Sequence, residues 1–85
     1  MATLYIVNHA ESLESCLGVA RTGDVVLLIQ GAASAAAYDH PRPVIALQDD
    51  LLAQGVTELG ANVTSTDYPG FVELAVAHQP IVSWR

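Results

Sequence analysis

The segment Asp24-Val25-Val26-Leu27-Leu28-Ile29-Gln30-Gly31 decides the fold class of this chain. Its aliphatic run, Val25 to Ile29, contains no polar residue, so it lacks the two-residue alternation of a strand with one solvent-exposed face. Such a run is typical of a strand covered on both faces, hence of a central strand in a parallel sheet. The run is also far shorter than the roughly 20 apolar residues that a membrane-spanning helix needs.

Weaker patterns on both sides of this strand predict that strands and helices alternate along the rest of the chain. Segments rich in β-branched and aliphatic residues predict four more strands, and amphipathic or alanine-rich segments between them predict helices. Short connections between such elements imply a small three-layer α/β sandwich with a mostly parallel sheet of about five strands. We expect residues 1–85 to form a single domain. The predicted elements are strand 3–7, a helix that starts at the Asn8 cap and is ended by Thr22-Gly23, strand 25–30, helix 32–38, strand 44–47, helix 51–54, strand 62–65, helix 68–78 and strand 81–84.

Polar residues in front of two predicted helices suggest where those helices begin. Asn8, followed three residues later by Glu11, resembles a capping box for the first helix. Asp67 is placed to cap the last helix, whose first turn tolerates Pro69. In that last helix we expect Phe71, Leu74, Ala75 and His78 to share one apolar face.

Composition restricts the partners that this domain can have. The chain is 52% hydrophobic and 14% charged, and it carries a formal net charge of −6 with no lysine. Such a chain cannot hold a phosphate backbone unaided, so we predict no direct contact with nucleic acid. A chain of this size buries only about 60% of its unfolded surface, and its one cysteine forbids an internal disulfide. We therefore expect another protein to cover part of the exterior, with Tyr68 and Trp84 as anchors in the core or at an interface.

The N-terminal segment bears on the compartment. Residues 1–7 contain no basic residue, and polar Asn8 interrupts the apolar stretch, so the segment is a poor signal peptide. A lone thiol is compatible with a reducing environment. We interpret the protein as cytoplasmic, without a membrane segment.

Cys16 is the candidate catalytic residue. It shares one face of the first predicted helix with Leu13, Leu17 and Ala20. A cysteine thiolate can take up a sulfane sulfur as a persulfide and release it again without breaking another bond of the protein. The alternative is that Cys16 is a small apolar core residue, because free cysteine is among the most buried residue types. The nearby carboxylate of Glu14 would raise the pKa of the thiol, so a partner would have to supply positive charge.

Three histidines and a pair of acids are the remaining candidates. His9, His40 and His78 show no metal-ligand spacing, so we predict neither a metal site nor a bound cofactor. His9 has the strongest functional claim, because it follows the first strand, where open α/β sheets bind ligands. We expect His78 to be hydrogen-bonded in the core or at an interface. Asp49 and Asp50 are a possible carboxylate pair for a metal ion, but a cap on the short helix that follows is the more economical interpretation.

Four segments of the chain, in this order, carry a resemblance to a known family. Together they resemble the TusB/DsrH family, the smallest subunits of sulfur-relay complexes, over nearly the whole chain. The first segment, residues 12–17, is similar to the cysteine-bearing segment of the DsrH branch. In the third segment, residues 50–55, Gln54 stands where arginine is common. The segments are Ser12-Leu13-Glu14-Ser15-Cys16-Leu17; residues 24–30 with Gly31 and the alanines that follow; Asp50-Leu51 through Ala53-Gln54-Gly55; and Asp67-Tyr68-Pro69-Gly70-Phe71-Val72-Glu73-Leu74 with Trp84 near the end.

The resemblance implies a DsrE/DsrF-like fold and a heterohexamer with two copies each of three paralogous subunits. The partners would be a DsrE/TusD-like subunit, which carries the principal persulfide cysteine, and a DsrF/TusC-like subunit. Sulfur would pass to a TusE/DsrC-like acceptor, for 2-thiouridine at the tRNA wobble position or for sulfur oxidation. In the DsrH branch the subunit's own cysteine, here Cys16, is implied as a further carrier.

Three functions remain open at this point. The first is a sulfur-relay subunit in which Cys16 carries sulfur. The second is a non-catalytic scaffold that positions its sulfur-carrying paralogues. The third is a stand-alone homo-oligomer of the same fold, which would require self-association.

Overall fold

The computed structural model describes residues 2–84, and these form one parallel sheet with helical connections. The sheet has five strands in the order β4-β3-β2-β1-β5, and every neighbouring pair is parallel. The predicted fold class is therefore confirmed, and the aliphatic run forms the central strand of the sheet. The strands are β1 (Leu4–Val7), β2 (Val25–Leu28), β3 (Val44–Leu47), β4 (Val63–Thr66) and β5 (Ile81–Trp84).

The helical segments lie close to their predicted positions. Three are α-helices: α1 (Leu13–Val19), α2 (Gln48–Ala53) and α3 (Tyr68–Ala77). A single 3-10 turn, Ala10–Ser12, precedes α1, and the alanine-rich segment is a 3-10 helix over Gln30–Ala37, called the alanine helix below. In a 3-10 helix the side chains at positions i and i+3 eclipse, which alanine tolerates. Two such pairs, Ala32 with Ala35 and Ala33 with Ala36, form the buried side of the alanine helix.

Connection direction decides which face of the sheet each helix covers. From β1 through β4 the chain steps across the sheet in one direction, whereas the step from β4 to β5 runs back. Because parallel crossovers are right-handed, α1, the alanine helix and α2 lie on one face, and α3 lies on the other. We call these the first face and the second face.

The first face holds the main core. Val7, Val26, Leu28, Val44 and Ala46 project from the strands into one buried cluster with Leu13, Cys16, Leu51 and the alanines. Successive side chains of a strand point to opposite faces, so Leu4 and Leu27 project to the second face. Both are fully buried yet lie outside that cluster, which is consistent with cover by α3.

Asp67 was correctly predicted as a helix cap. Its side chain accepts a hydrogen bond from the Gly70 amide at 2.9 Å, and Pro69 lies in the first turn of α3. A contact over three residues is local, so the sequence pattern alone specifies it. The four residues predicted to share an apolar face of this helix are all partly buried: Phe71, Leu74, Ala75 and His78.

The other two predicted caps are wrong. No side-chain cap bond forms at the start of the 3-10 turn or of α1, because that turn moves the start of α1 to Leu13, five residues beyond Asn8. Asp50 lies inside α2, whose N-cap is Leu47. Its carboxylate instead accepts a hydrogen bond from the Gln30 amide at 2.8 Å and so joins α2 to the alanine helix.

Candidate functional site

Cys16 lies on α1 and faces the sheet. Its side chain is fully buried in the first-face core, where it belongs to the same cluster as Leu13, Ala20 and Val26. Helical spacing accounts for this placement, since residues three and four apart share a helix face. The face of α1 predicted from the sequence is therefore the buried face.

Burial controls the protonation of this thiol. Desolvation raises the pKa of Cys16 to about 11, and the nearby Arg42 guanidinium opposes that rise without cancelling it. The nucleophilic form of a cysteine is the thiolate. At neutral pH the isolated domain therefore holds Cys16 as an unreactive thiol.

Arg42 fixes the C-terminal end of α1 and supplies the positive charge beside Cys16. From the loop before β3, its Nη1 donates hydrogen bonds to the carbonyl oxygens of Leu17, at 2.8 Å, and of Ala20. A cation at this end of a helix satisfies carbonyls that have no partner within the helix and interacts favourably with the helix dipole. No motif in the sequence marks Arg42 as a functional residue. Its one signal is that it is one of only three arginines in a chain without lysine.

An open groove lies beside α1. Its volume is about 570 Å³, and its walls come from α1, the end of the alanine helix and the loop before β3. Cys16 is not among the lining residues, although Leu13 and Leu17 of the same helix are. The groove is mostly apolar, with three polar or charged side chains at its wall: Glu14, His40 and Arg42.

His40 stiffens the loop that carries Arg42. Its Nε2 lies 2.7 Å from the Ala35 carbonyl oxygen, which can only accept, so the ring donates from this nitrogen. The backbone of the same loop is tied to the loop before β4: the His40 amide donates to the Ala61 carbonyl, and Asn62 donates to the His40 carbonyl at 2.7 Å. The groove wall is thus held from two directions.

Comparison with known proteins gives one consistent result. The family model described as "DsrH like protein" matches residues 7–81. The chain is also 30% identical over 82 residues to Protein TusB of Cronobacter sakazakii, covering 85% of this chain and 86% of the relative. Protein TusB of Enterobacter sp. (strain 638) is 34% identical over 86 aligned positions, covering 89% and 90% of the two chains. Protein TusB of Escherichia coli O81 (strain ED1a) is 35% identical over 72 residues, covering 73% and 76%.

The chain belongs to the DsrH-like family. The matched range runs from the last residue of β1 to the first residue of β5, so it contains Cys16, Arg42 and the whole of α3. The resemblance expected from the four sequence segments is confirmed.

The histidines of this DsrH-like chain do not form a joint site. His9 is exposed at the carboxyl end of β1, and its backbone carbonyl accepts a bond from the Ser12 amide. The Nδ1 atom of His78 lies 2.8 Å from the Leu74 carbonyl oxygen, so His78 is hydrogen-bonded at the end of α3, as expected. Within residues 2–84, no three His, Cys, Asp or Glu side chains lie close enough together to hold a metal ion. Asp49 and Asp50 accordingly have no third ligand there.

The two aromatic anchors differ in their surroundings. Trp84 packs edge-on against Tyr5, with ring centroids 5.8 Å apart, and donates from its indole nitrogen to the Ser15 hydroxyl at 3.0 Å. It therefore ties β5 to β1 and to α1. Tyr68 makes a similar edge contact with Phe71, but most of its side chain is exposed on α3.

Asn8, predicted above only as a cap, is partly buried. Its Oδ1 is buried without a hydrogen-bond partner among the described residues. Its signal in the sequence is its position directly after β1.

No helix of the described chain is long and apolar enough to cross a bilayer, the longest being the ten residues of α3.

Proposed function

We propose that this chain is a subunit of a sulfur-relay complex and acts there chiefly as a scaffold for paralogous sulfur-carrying subunits. The complex contains a DsrE/TusD-like and a DsrF/TusC-like subunit in a heterohexamer and operates in the cytoplasm. It passes persulfide sulfur to a TusE/DsrC-like acceptor, for tRNA 2-thiouridine synthesis or sulfur oxidation. Family membership supports the relay assignment, since three relatives named Protein TusB align over most of their length.

The burial of Cys16 is the observation that supports the scaffold role. A sulfur carrier must meet a donor and an acceptor in turn, and each meeting requires an accessible sulfur atom. Here Sγ lies in the core, and the pKa of the thiol is raised to about 11. The principal persulfide cysteine then belongs to a partner subunit.

The second candidate role keeps Cys16 as a sulfur carrier, and the Arg42 charge beside the thiol favours it. In that role Cys16 loses its proton, and its thiolate attacks the sulfane sulfur of a partner's cysteine persulfide. A new S–S bond forms on Cys16, the S–S bond of the partner breaks, and the partner's thiolate leaves. Neither an oxidant nor a reductant is consumed. The step needs α1 to move away from the sheet within the complex.

A relay assay with and without this chain tests the assignment. The purified paralogous subunits, a sulfur donor and a TusE/DsrC-like acceptor are combined, and acceptor persulfide is measured by mass spectrometry. We expect transfer to fall sharply when this chain is omitted. Transfer that proceeds equally well without it would contradict the proposed function.

Substitution of Cys16 separates the two roles. For the scaffold role we expect Cys16→Ala to support transfer at the wild-type rate, with no persulfide on Cys16 in the wild-type complex. Leu17→Ala, on the same helix but away from the sulfur, is the matched control for loss of packing. Transfer that is abolished by Cys16→Ala and retained by an equally stable Leu17→Ala would establish Cys16 as a carrier.

A further inference from the structure

The outward side of α3 is apolar and uncovered. Tyr68, Val72 and Val76 repeat every four residues and form a line on the helix, called the outer stripe below. Their side chains are 62%, 47% and 79% exposed, and Ile81 at the start of β5 is 46% exposed. Phe71, Leu74 and Ala75 meanwhile make up the partly buried, sheet-facing side.

An α-helix that is apolar on both sides is typical of a buried helix. A surface helix normally presents charged and polar residues on the face opposite the core. In α3 the only charged residue is Glu73, and the outer stripe occupies the face where charges are expected. The sequence of α3 therefore suits a helix with protein on two sides, of which the isolated chain supplies one.

Charge distinguishes among the possible occupants of this surface. Asp67 and Glu73 flank the outer stripe, α3 contains no lysine or arginine, and the chain has a formal net charge of −6. The two arginines that the structure describes, Arg21 and Arg42, line one small pocket at the C-terminal end of α1, on the first face. A second copy of this chain would therefore bring further carboxylates to the rim of the surface, and like charges across an interface oppose association. An anionic lipid surface or a nucleic acid would meet the same repulsion.

The size of the surface gives a second argument against simple pairing of α3 with itself. A ten-residue helix is about 15 Å long and about 10 Å wide, so its outer side offers at most a few hundred square ångströms. A stable interface buries about 800 Å² on each partner. The occupant must reach past α3 onto neighbouring surface, such as Ile81 at the sheet edge.

We infer that the outer stripe of α3, together with Ile81, is the surface by which this chain docks onto a different subunit of its complex, one with an apolar patch rimmed by lysine or arginine. This inference rests on the proposed function and adds to it the contact surface and the chemistry of the partner. The groove along α1 and the first face stay outside this contact.

A pair of matched substitutions tests the inference. Val76→Glu places a charge in the outer stripe, whereas Leu52→Glu places the same charge on α2, where Leu52 is 78% exposed. Both positions are exposed, so both variants should fold, which circular dichroism checks. The probes are the DsrE/TusD-like and DsrF/TusC-like proteins of the same organism, and affinity is measured by calorimetry. We expect Val76→Glu to weaken binding at least about tenfold and Leu52→Glu to leave it unchanged.

Charge and salt provide an independent readout. Glu73→Lys should weaken binding of the same probes, whereas Glu58→Lys, in the exposed loop after α2, should not. Raised salt should weaken binding of the wild-type chain, because charges at an interface rim are screened. Binding that is unaffected by both Glu73→Lys and salt would contradict a basic rim.

The outcomes distinguish this inference from the proposed function. If the wild-type chain binds a paralogue and Val76→Glu binds equally well, the docking surface is overturned and the relay assignment stands. If the wild-type chain binds neither paralogue, both fail. If light scattering shows a wild-type dimer that Val76→Glu converts to a monomer, the occupant is a second copy, and the inference of a different subunit is overturned.

Discussion

The two faces of the sheet differ in how completely they are covered. On the first face, three helical segments enclose a continuous core, and its members include Cys16 and the four buried alanines of the alanine helix. On the second face, α3 alone crosses the sheet, and Leu4 and Leu27 are buried while Ile81 stays exposed. The number of crossovers in each direction determines this difference, because three steps run one way and a single step returns.

This asymmetry distinguishes an enclosed face of the molecule from one with exposed apolar side chains. The first face is closed by local helices and needs no other chain. On the second face α3 covers Leu4 and Leu27, but the outer stripe and Ile81 stay exposed, and these are the residues that the inference above assigns to a partner. Cys16 lies on the enclosed first face, so its thiol is buried. The outer stripe lies on α3, on the second face, and is exposed.

The sharpest comparison uses two adjacent leucines of β2. Leu28 projects into the first-face core, Leu27 projects to the second face, and both are fully buried. We expect Leu28→Ala to lower the free energy of unfolding by about 4 kcal/mol and Leu27→Ala by about 2 kcal/mol, since α3 has fewer constraints and can close the cavity. Urea denaturation of both variants gives the values. Equal losses would show that the two faces are equally rigid.

A backbone contact that closes the first face gives the next largest effect. The Gly60 amide donates to the Ala36 carbonyl at 2.9 Å, and a Cβ at Gly60 would lie 2.0 Å from the Tyr38 carbonyl oxygen. We expect Gly60→Ala to cost about 3 kcal/mol, because two backbone segments must separate. Gly18, inside α1, has no atom within 4 Å of such a Cβ, so Gly18→Ala should stabilise by about 0.5–1 kcal/mol. Thermal denaturation compares them, and a neutral Gly60→Ala would mean that this contact can relax freely.

Short-range patterns in the sequence predicted most of the fold; of the two wrong caps, Asn8 fails because a local 3-10 turn precedes α1, and Asp50 fails through a long-range contact. The central strand, the buried face of α1 and the Asp67 cap each depend on residues within one turn or one strand of each other. Asp50 was wrongly predicted as a cap because its carboxylate bonds to Gln30, which is 20 residues away. The enclosure of Cys16 likewise depends on core partners from other elements, and no spacing within α1 indicates them.

Alkaline pH should weaken the first face through Cys16. Burial raises the pKa of this thiol from 9.0 to about 11, so between these values the unfolded chain loses a proton that the folded chain retains. The contribution of the buried thiol to stability is therefore fully present below pH 9. It is lost as the pH rises toward 11, which lowers the free energy of unfolding by up to about 3 kcal/mol. Cys16→Ala removes this component, so the difference between wild type and variant, measured by urea denaturation at several pH values, isolates it from tyrosine titration.

Arg42 provides a control for the same measurement. Its charge opposes the rise in the Cys16 pKa, so in Arg42→Gln the folded-state pKa should rise further: the fall in stability should still begin near pH 9, where the unfolded chain loses its proton, but should continue to higher pH and become larger. A stability difference between wild type and Cys16→Ala that is flat from pH 8 to 11 would show that the thiol is solvated, and would reopen the carrier role.

The smallest expected effect concerns the start of α3, the only α-helix of the described chain whose N-cap side chain bonds to its first turn. Asp67→Ala removes the bond to the Gly70 amide and should cost about 1 kcal/mol, whereas Ser12→Ala, at the uncapped start of α1, should be nearly neutral. Hydrogen exchange localises the loss: amides of α3 should exchange faster in Asp67→Ala, while those of β2 keep their wild-type protection, since local opening of one helix leaves the first-face core intact. Equal acceleration in both elements would mean that α3 and the core unfold as one unit, and the second face would then be as integral to the fold as the first.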